Sequence, residues 1–274
     1  AAEEEIMKIE GCKWALLTQT GMSAIDTAVS VFQNSGSVQA FLFASDIYGG
    51  TLSYIDSVLR GRRGMDIRFF NPDENRYDTD KLEDVIREIK PEFVYLETIS
   101  NPMLIVADIR KAIESAHRYG SKVIVDNTFA TPALFRPLDA GADLVVHSAT
   151  KYLSGHGNIT AGVVCGNDEE LLKSAIEYRK FAGHMISPDD SYRLHTQLQT
   201  FLLRFHRQCE SAGKLALRLT NSPAVQNVLY PGLPGHGTFN EAERLFENRG
   251  FGAMITFDML GNSASDKRIK RDKF

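Results

Sequence analysis

Only three cysteines occur among 274 residues, Cys12, Cys165 and Cys209, far apart and without a CxxC pair. That scarcity excludes a disulfide scaffold and a structural zinc site, and it makes a reducing cytoplasm the expected compartment. No metal is expected. No apolar run approaches the roughly 18 residues that would cross a membrane. The opening Ala1-Ala2-Glu3-Glu4-Glu5 has neither the basic nor the apolar part of a signal peptide. Net charge is only −4, which offers no basic surface for nucleic acid. The one basic run, Lys267, Arg268, Lys270, Arg271 and Lys273, reads as a solvated helix face. Also missing are internal repeats, low-complexity tracts and a GxGxxG between strand and helix, which argues against a dinucleotide site.

What is present is alternation. Short apolar runs, Val38–Phe43, Ile67–Phe70, Phe93–Leu96, Val123–Val125, Leu144–His147 and Gly162–Cys165, read as strands, several of them apolar throughout, as in strands covered on both faces. Helical patterns lie between them. Leu82, Val85, Ile86 and Ile89 form one stripe, with Asp80 and Glu83 at capping-box spacing and Pro91 as the stop. Ile109, Ala112, Ile113 and Ala116 form another, closed by Gly120. This order predicts an α/β fold with a mostly parallel, doubly wound sheet, whose ligand sits beyond the carboxyl ends of the strands.

From Ser187-Pro188, an N-cap and first-turn proline, one long helical stretch is expected to run to about Asn221. A strand at Val225–Leu229, a Pro- and Gly-rich loop at 231–237, a helix around Glu241–Asn248 and a strand at Ala253–Asp258 follow. The expected division is a large domain over 1–186, a linking helix over 187–223 and part of a smaller C-terminal α/β domain over 224–274, which breaks off inside a helical segment.

Five polar loops fall after strands or at helix starts. His147-Ser148-Ala149-Thr150-Lys151-Tyr152 places an amine and two hydroxyls past a strand end, with Gly155, Gly157 and Gly162 nearby. A lysine there loses water contacts and with them basicity, as amine nucleophilicity requires. An isolated lysine of this kind is usually just solvated; its neighbours reverse the odds. Asp126, after Val123-Ile124-Val125, is costly unless a cation or donor meets it, although an aspartate also serves to cap a turn. Gly21 and Met22 open a helix and present backbone N–H groups to an anion. Tyr48, in Asp46-Ile47-Tyr48-Gly49-Gly50-Thr51, offers a ring face or an acid–base group; alone it reads as packing. Asn101, before Pro102, is expected extended with its amide aimed at a ligand. An amine, an acid for a protonated ring nitrogen, phosphate donors, a ring partner and an amide match pyridoxal phosphate (PLP).

At these residues the chain resembles the Cys/Met-metabolism family of PLP enzymes, through TGMSAI, SDIYGGT, ETISNP, VIVDNTFATP and HSATKYLSGHGNITAG, in family order over residues 1 to about 260. The resemblance implies the aspartate-aminotransferase-like fold (fold type I). It implies that Lys151 carries the cofactor and moves protons, that Asp126 pairs with the pyridine nitrogen and that Tyr48 stacks on the ring. It also implies that Gly21, Met22, Ser148 and Thr150 hold the phosphate and that Asn101 lies near the ring hydroxyl. A homodimer or homotetramer with sites shared across the dimer is implied, acting on a small amino acid.

Elimination at the γ carbon of a sulfur amino acid is the leading expectation. Replacement on an activated homoserine ester is nearly balanced with it, and a non-catalytic PLP-binding relative is a second alternative. Gly50 stands where methionine γ-lyases usually carry cysteine, and Asn158 where many members have aspartate. The family's Tyr-x-Arg pair and substrate-carboxylate arginine fall outside these 274 residues. Cys12, Cys165 and Cys209 are expected to pack as small apolar residues. His195, Arg204, His206 and Arg207 read as one polar helix face, and His156 as a structural residue.

Overall fold

The computed structural model describes residues 1–33, 39–73 and 76–273. In chain order the elements are α1 (Ala2–Glu10), β1 (Trp14–Thr18), α2 (Gly21–Val31), β2 (Ala40–Ala44) and α3 (Gly49–Tyr54), which runs on into a π-helical turn (Ile55–Arg60). Next come β3 (Asp66–Phe70), α4 (Thr79–Ile89), β4 (Phe93–Glu97), α5 (Ile109–Arg118), β5 (Lys122–Asp126), the short α6 (Thr131–Leu134), β6 (Leu144–His147), β7 (Gly162–Gly166) and α7 (Glu169–Ala182). The rest is α8 (Pro188–Leu198), α9 (Phe201–Thr220), β8 (Val225–Leu229), α10 (Phe239–Phe246), β9 (Thr256–Met259) and α11 (Ala264–Arg271).

Seven strands form one sheet in the order β1-β7-β6-β5-β4-β2-β3. Strands β2 to β6 pair in parallel; β7 is antiparallel to both β6 and β1, so β1 runs in the same sense as the parallel set. The mostly parallel doubly wound sheet is therefore as expected, and both its faces are covered. Every residue of β4 and β7 is buried. At the β2–β4 junction Phe41, Phe43, Phe93 and Tyr95 pack with ring centroids 5.0–5.5 Å apart. Each such side chain removed from water contributes roughly 1.5–3 kcal/mol.

The helices bury the stripes foreseen for them. In α5, Ile109, Ala112, Ile113 and Ala116 are all buried. In α4 the cap is Asp78, not Asp80: its carboxylate accepts from the N–H groups of Asp80 and Lys81, both at 3.1 Å. Strand β2 begins at Ala40 and includes Ala44; Val38 lies outside the described residues.

Helices α1, α3, α6 and α7 and strand β1 had no sequence signal assigned to them. Helix α1 buries Ala2, Ile6 and Glu10, and β1 forms the sheet edge with all five residues buried. The single helix expected from 187 to 221 is two, parted at Gln199-Thr200. At the break the Gln197 carbonyl accepts from the Thr200 N–H and hydroxyl, both at 3.3 Å, and from the Arg204 guanidinium at 2.9 Å. Beyond α9, β8 and β9 make a separate two-stranded antiparallel sheet. Helix α10 and β9 lie shifted by two to three residues from expectation. Helix α11, which carries most of the basic run, buries none of its residues. All three cysteines are free and buried.

Candidate active site

Because β1, β2, β4, β5 and β6 run the same way, the loops that leave them open onto one edge of the sheet. There they enclose a cavity of ≈ 440 Å³. Its walls include Gly21, Met22, Tyr48, Asn101, Asp126, Ser148, Thr150 and Lys151, the complete set singled out from the sequence, together with Glu97 and Thr128. Ile25, Ile99, Phe129 and Met254 supply apolar wall. A larger cavity, ≈ 520 Å³ between α9 and the segments at 230–233 and 248–251, contains none of those candidates. The chemistry therefore belongs to the smaller one.

Helix α2 supplies the anion end. Thr20 caps it by accepting the Ser23 N–H at 3.0 Å, while the N–H groups of Gly21 and Met22, in the first turn, have no intrahelical acceptor. Gly21 is required by a close approach: a Cβ there would lie 2.7 Å from Cβ of Ser148. The start of the helix and the Ser148 loop thus form one concave lip, the shape that a phosphate with the helix dipole behind it fits. The Ser148 N–H is held by the Thr128 hydroxyl at 2.8 Å. Among the described residues no hydrogen bond engages the Ser148 hydroxyl, which is free for a ligand. The Thr150 hydroxyl is committed: it accepts from Ala161 N–H at 3.0 Å and donates to Ala161 O at 3.1 Å. Sequence reasoning saw the hydroxyl but not this partner.

On the floor, Asp126 ends β5. One oxygen accepts the Thr128 N–H at 2.9 Å and the other the Tyr95 hydroxyl at 3.2 Å. Burial raises its pKa, while the donors of Thr128 act to lower it. Directly across the β4–β5 register stands Glu97, only 5% exposed. Its pKa is pushed well above the usual carboxylate range, by burial first and by the neighbouring Asp126 next. Glu97 was quoted in a motif but given no role; a carboxyl closing an all-apolar strand was the available signal.

Tyr48 stands at the N-cap position of α3, makes no side-chain cap bond and is 46% exposed. A Cβ on Gly50 would stand 2.4 Å from the Tyr48 ring, so the ring can lie across the helix start only because residue 50 has no side chain. Asn101 leads a turn and its bond to Pro102 is cis. Lys151 differs from expectation. It lies in the turn beyond β6 and is exposed, so burial does not strip its water; the cavity mouth is open at this point. Nor is Arg204 a mere polar face. Besides Gln197 O, its guanidinium donates to the carbonyls of Tyr152 and Leu153 at 3.1 and 3.2 Å, gripping the turn that carries Lys151. His156 hydrogen-bonds Ser154 O at 2.6 Å within its own loop.

An anion-binding helix start, a buried acid on the floor, an amine at the mouth and an open-faced tyrosine ring fit a phosphorylated pyridine aldehyde, and with the sheet they define a PLP enzyme of fold type I. The chain belongs to the Cys/Met metabolism PLP-dependent enzyme family, whose sequence model matches residues 1–273. It is 35% identical over 272 residues to a cystathionine beta-lyase of Bacillus subtilis, covering 98% of this chain and 66% of that protein. It is 37% identical over 276 residues to a cystathionine gamma-synthase of Mycobacterium leprae, covering 100% and 68%. The L-methionine gamma-lyase of Porphyromonas gingivalis is 34% identical over 271 residues, covering 97% and 65%. Cystathionine gamma synthase from Xanthomonas oryzae pv. oryzae, solved in complex with aminoacrylate and cysteine, superposes with a TM-score of 0.87 at 32% identity, over 96% of this chain and 66% of that one. The chain thus spans about two thirds of the length of these relatives.

Proposed function

We propose that the chain is the cofactor-binding part of a PLP enzyme that eliminates a leaving group from the γ carbon of a sulfur amino acid. The observation that carries this reading is the convergence of Lys151, Asp126, Tyr48 and the Gly21–Ser148 lip on one cavity. When bound, PLP supplies an electron sink that acidifies the substrate Cα–H.

The protein groups do the rest. Gly21, Met22 and Ser148 bind the phosphate, with Thr150 able to join once its hydroxyl turns from Ala161. Asp126, as its carboxylate, holds the pyridine nitrogen protonated. Tyr48 lays its ring along the cofactor and Asn101 meets the ring hydroxyl. Lys151, which lines the cavity, would anchor the cofactor through Nζ and is the amine placed to take and return the proton at Cα. The apolar wall of Ile25, Ile99, Phe129 and Met254 suits a thioether side chain and excludes water from it.

Replacement at the γ carbon on an activated homoserine ester is the second reading, favoured by the identity with the gamma-synthase of M. leprae. Release of ammonia and 2-oxobutanoate from cystathionine, methionine and homocysteine, set against sulfide incorporation into O-acetylhomoserine, separates the two. Lys151→Ala is expected to abolish turnover and the visible cofactor band near neutral pH; a variant that kept either would refute the assignment of Lys151.

The same reading takes residues 1–186 as the cofactor domain, 187–223 as the link and 224–274 as part of the smaller domain. It also takes the working protein as a homodimer or homotetramer with shared sites. Exposed Phe181, Tyr192 and Leu203, at 75%, 67% and 76% exposure on α7 to α9, support a self-association face. Among the described residues no helix is long and apolar enough to cross a membrane.

A further inference from the structure

Tyr48 presents a difficulty. Its ring is nearly half exposed, so packing alone does not hold it, yet a ring partner for a planar cofactor needs a fixed position. Asn101 sits on a different loop with the same requirement. Both loops approach one group. The Glu97 carboxyl accepts the backbone N–H of Tyr48 at 2.8 Å, and the Asn101 N–H faces the same carboxyl closely enough to favour its charged form. Glu97 itself is buried at the end of β4, its backbone paired in register with that of Asp126.

We infer that Glu97 is a positioning residue whose buried carboxyl ties the Tyr48 and Asn101 loops to the end of β4, so that the ring and the amide keep a fixed relation to Asp126. This rests on the function proposed above and deepens it. What the loops need from Glu97 is an acceptor oxygen, not a charge. Burial and the nearby carboxyls of Asp126 and Asp46 favour its neutral form, while the Ser100 hydroxyl, hydrogen-bonded to Asp46, engages the third acid. A neutral Glu97 leaves the negative charge on Asp126, where the donors of Thr128 and Tyr95 support it.

The test compares three variants. Glu97→Met keeps the volume and removes the acceptor; Glu97→Asp keeps an acid but shortens its reach, and serves if the Met variant does not fold; Glu97→Gln keeps an acceptor oxygen without charge. Hydrogen exchange is measured at the Tyr48 and Asn101 amides, and induced circular dichroism is recorded in the visible band after addition of PLP. In Glu97→Met and Glu97→Asp, both amides are expected to exchange about tenfold faster or more, the dichroic band to fall by about half or more, and kcat to fall about 10- to 100-fold with a smaller change in KM. Glu97→Gln is expected to restore amide protection and the band. Unchanged exchange at both amides in the Met and Asp variants would overturn the inference, and so would a Gln variant as loose as Met. The two readings fail separately: a wild-type chain that binds no PLP defeats the proposed function, while the exchange comparison still decides the role of Glu97.

Discussion

Gly21 shows how much one absent methyl group can decide. With a Cβ placed 2.7 Å from that of Ser148, Gly21→Ala must push the helix start and the Ser148 loop apart. We expect PLP affinity to fall about tenfold or more, which is a loss of about 1.4 kcal/mol, with the fold retained; titration of the visible band measures it. Glu97 sets a different expectation. Its folded pKa is raised, so the folded state keeps a proton that the unfolded chain releases above about pH 4.3. Its contribution to stability is therefore full below that pH and is lost as pH rises through the folded value. Asp126 adds a slope of the same sign. Glu97→Gln should flatten the fall in stability on going from pH 5 to neutrality, by up to about 1.4 kcal/mol per pH unit where Glu97 alone titrates. Urea unfolding at several pH values checks this. At this scale the sequence was informative wherever a residue type announced its chemistry, as Lys151, Asp126 and Tyr48 did. It was silent on partners: nothing in the string shows that the Thr150 hydroxyl belongs to Ala161 or that the Glu97 carboxyl accepts the Tyr48 N–H.

Among elements, those with a self-contained pattern were legible. The stripe of α5 and the apolar runs of β4 to β7 needed no tertiary information. The break between α8 and α9 did. No glycine or proline marks Gln199-Thr200; the Gln197 carbonyl there is shared by Thr200 and Arg204, and Arg204 also holds two carbonyls of the Lys151 turn. Strand β1 was passed over because the four apolar residues Trp14 to Leu17, between α1 and the Thr20-Gly21 turn, carry no period of their own. The double grip of Arg204 makes it a hinge pin between helix and loop. Arg204→Met should cost about 1.5–3 kcal/mol, the range of hydrogen bonds made by a charged group, and should loosen the 151–155 turn. Denaturant melts and hydrogen exchange of that turn measure the two effects.

For the molecule as a whole, cofactor and fold are linked. A ligand that binds only the folded state at 100 times its Kd stabilises it by about 2.7 kcal/mol. Saturating PLP should therefore raise Tm by several degrees in the wild-type chain, and by clearly less in Gly21→Ala at the same concentration; differential scanning fluorimetry is sufficient. The parallel sheet and the edge at which the loops gather were legible from strand–helix alternation. The smaller unit after α9 was less so, since β8 and β9 are half-exposed strands with little apolar period.

The place of β1 at the sheet edge has a consequence for biosynthesis. Among the described residues, Trp14–Thr18 pairs only with Gly162–Gly166, some 150 residues later, and Ser148 faces the Gly21 lip. A nascent chain thus carries the Gly21 side of its phosphate cradle well before the Ser148 side. Until β7 emerges, β1 has no strand to pair with and Gly21 no opposing wall. Vitamin capture is accordingly a late, post-assembly event, and chains halted before Gly166 should leave the ribosome colourless.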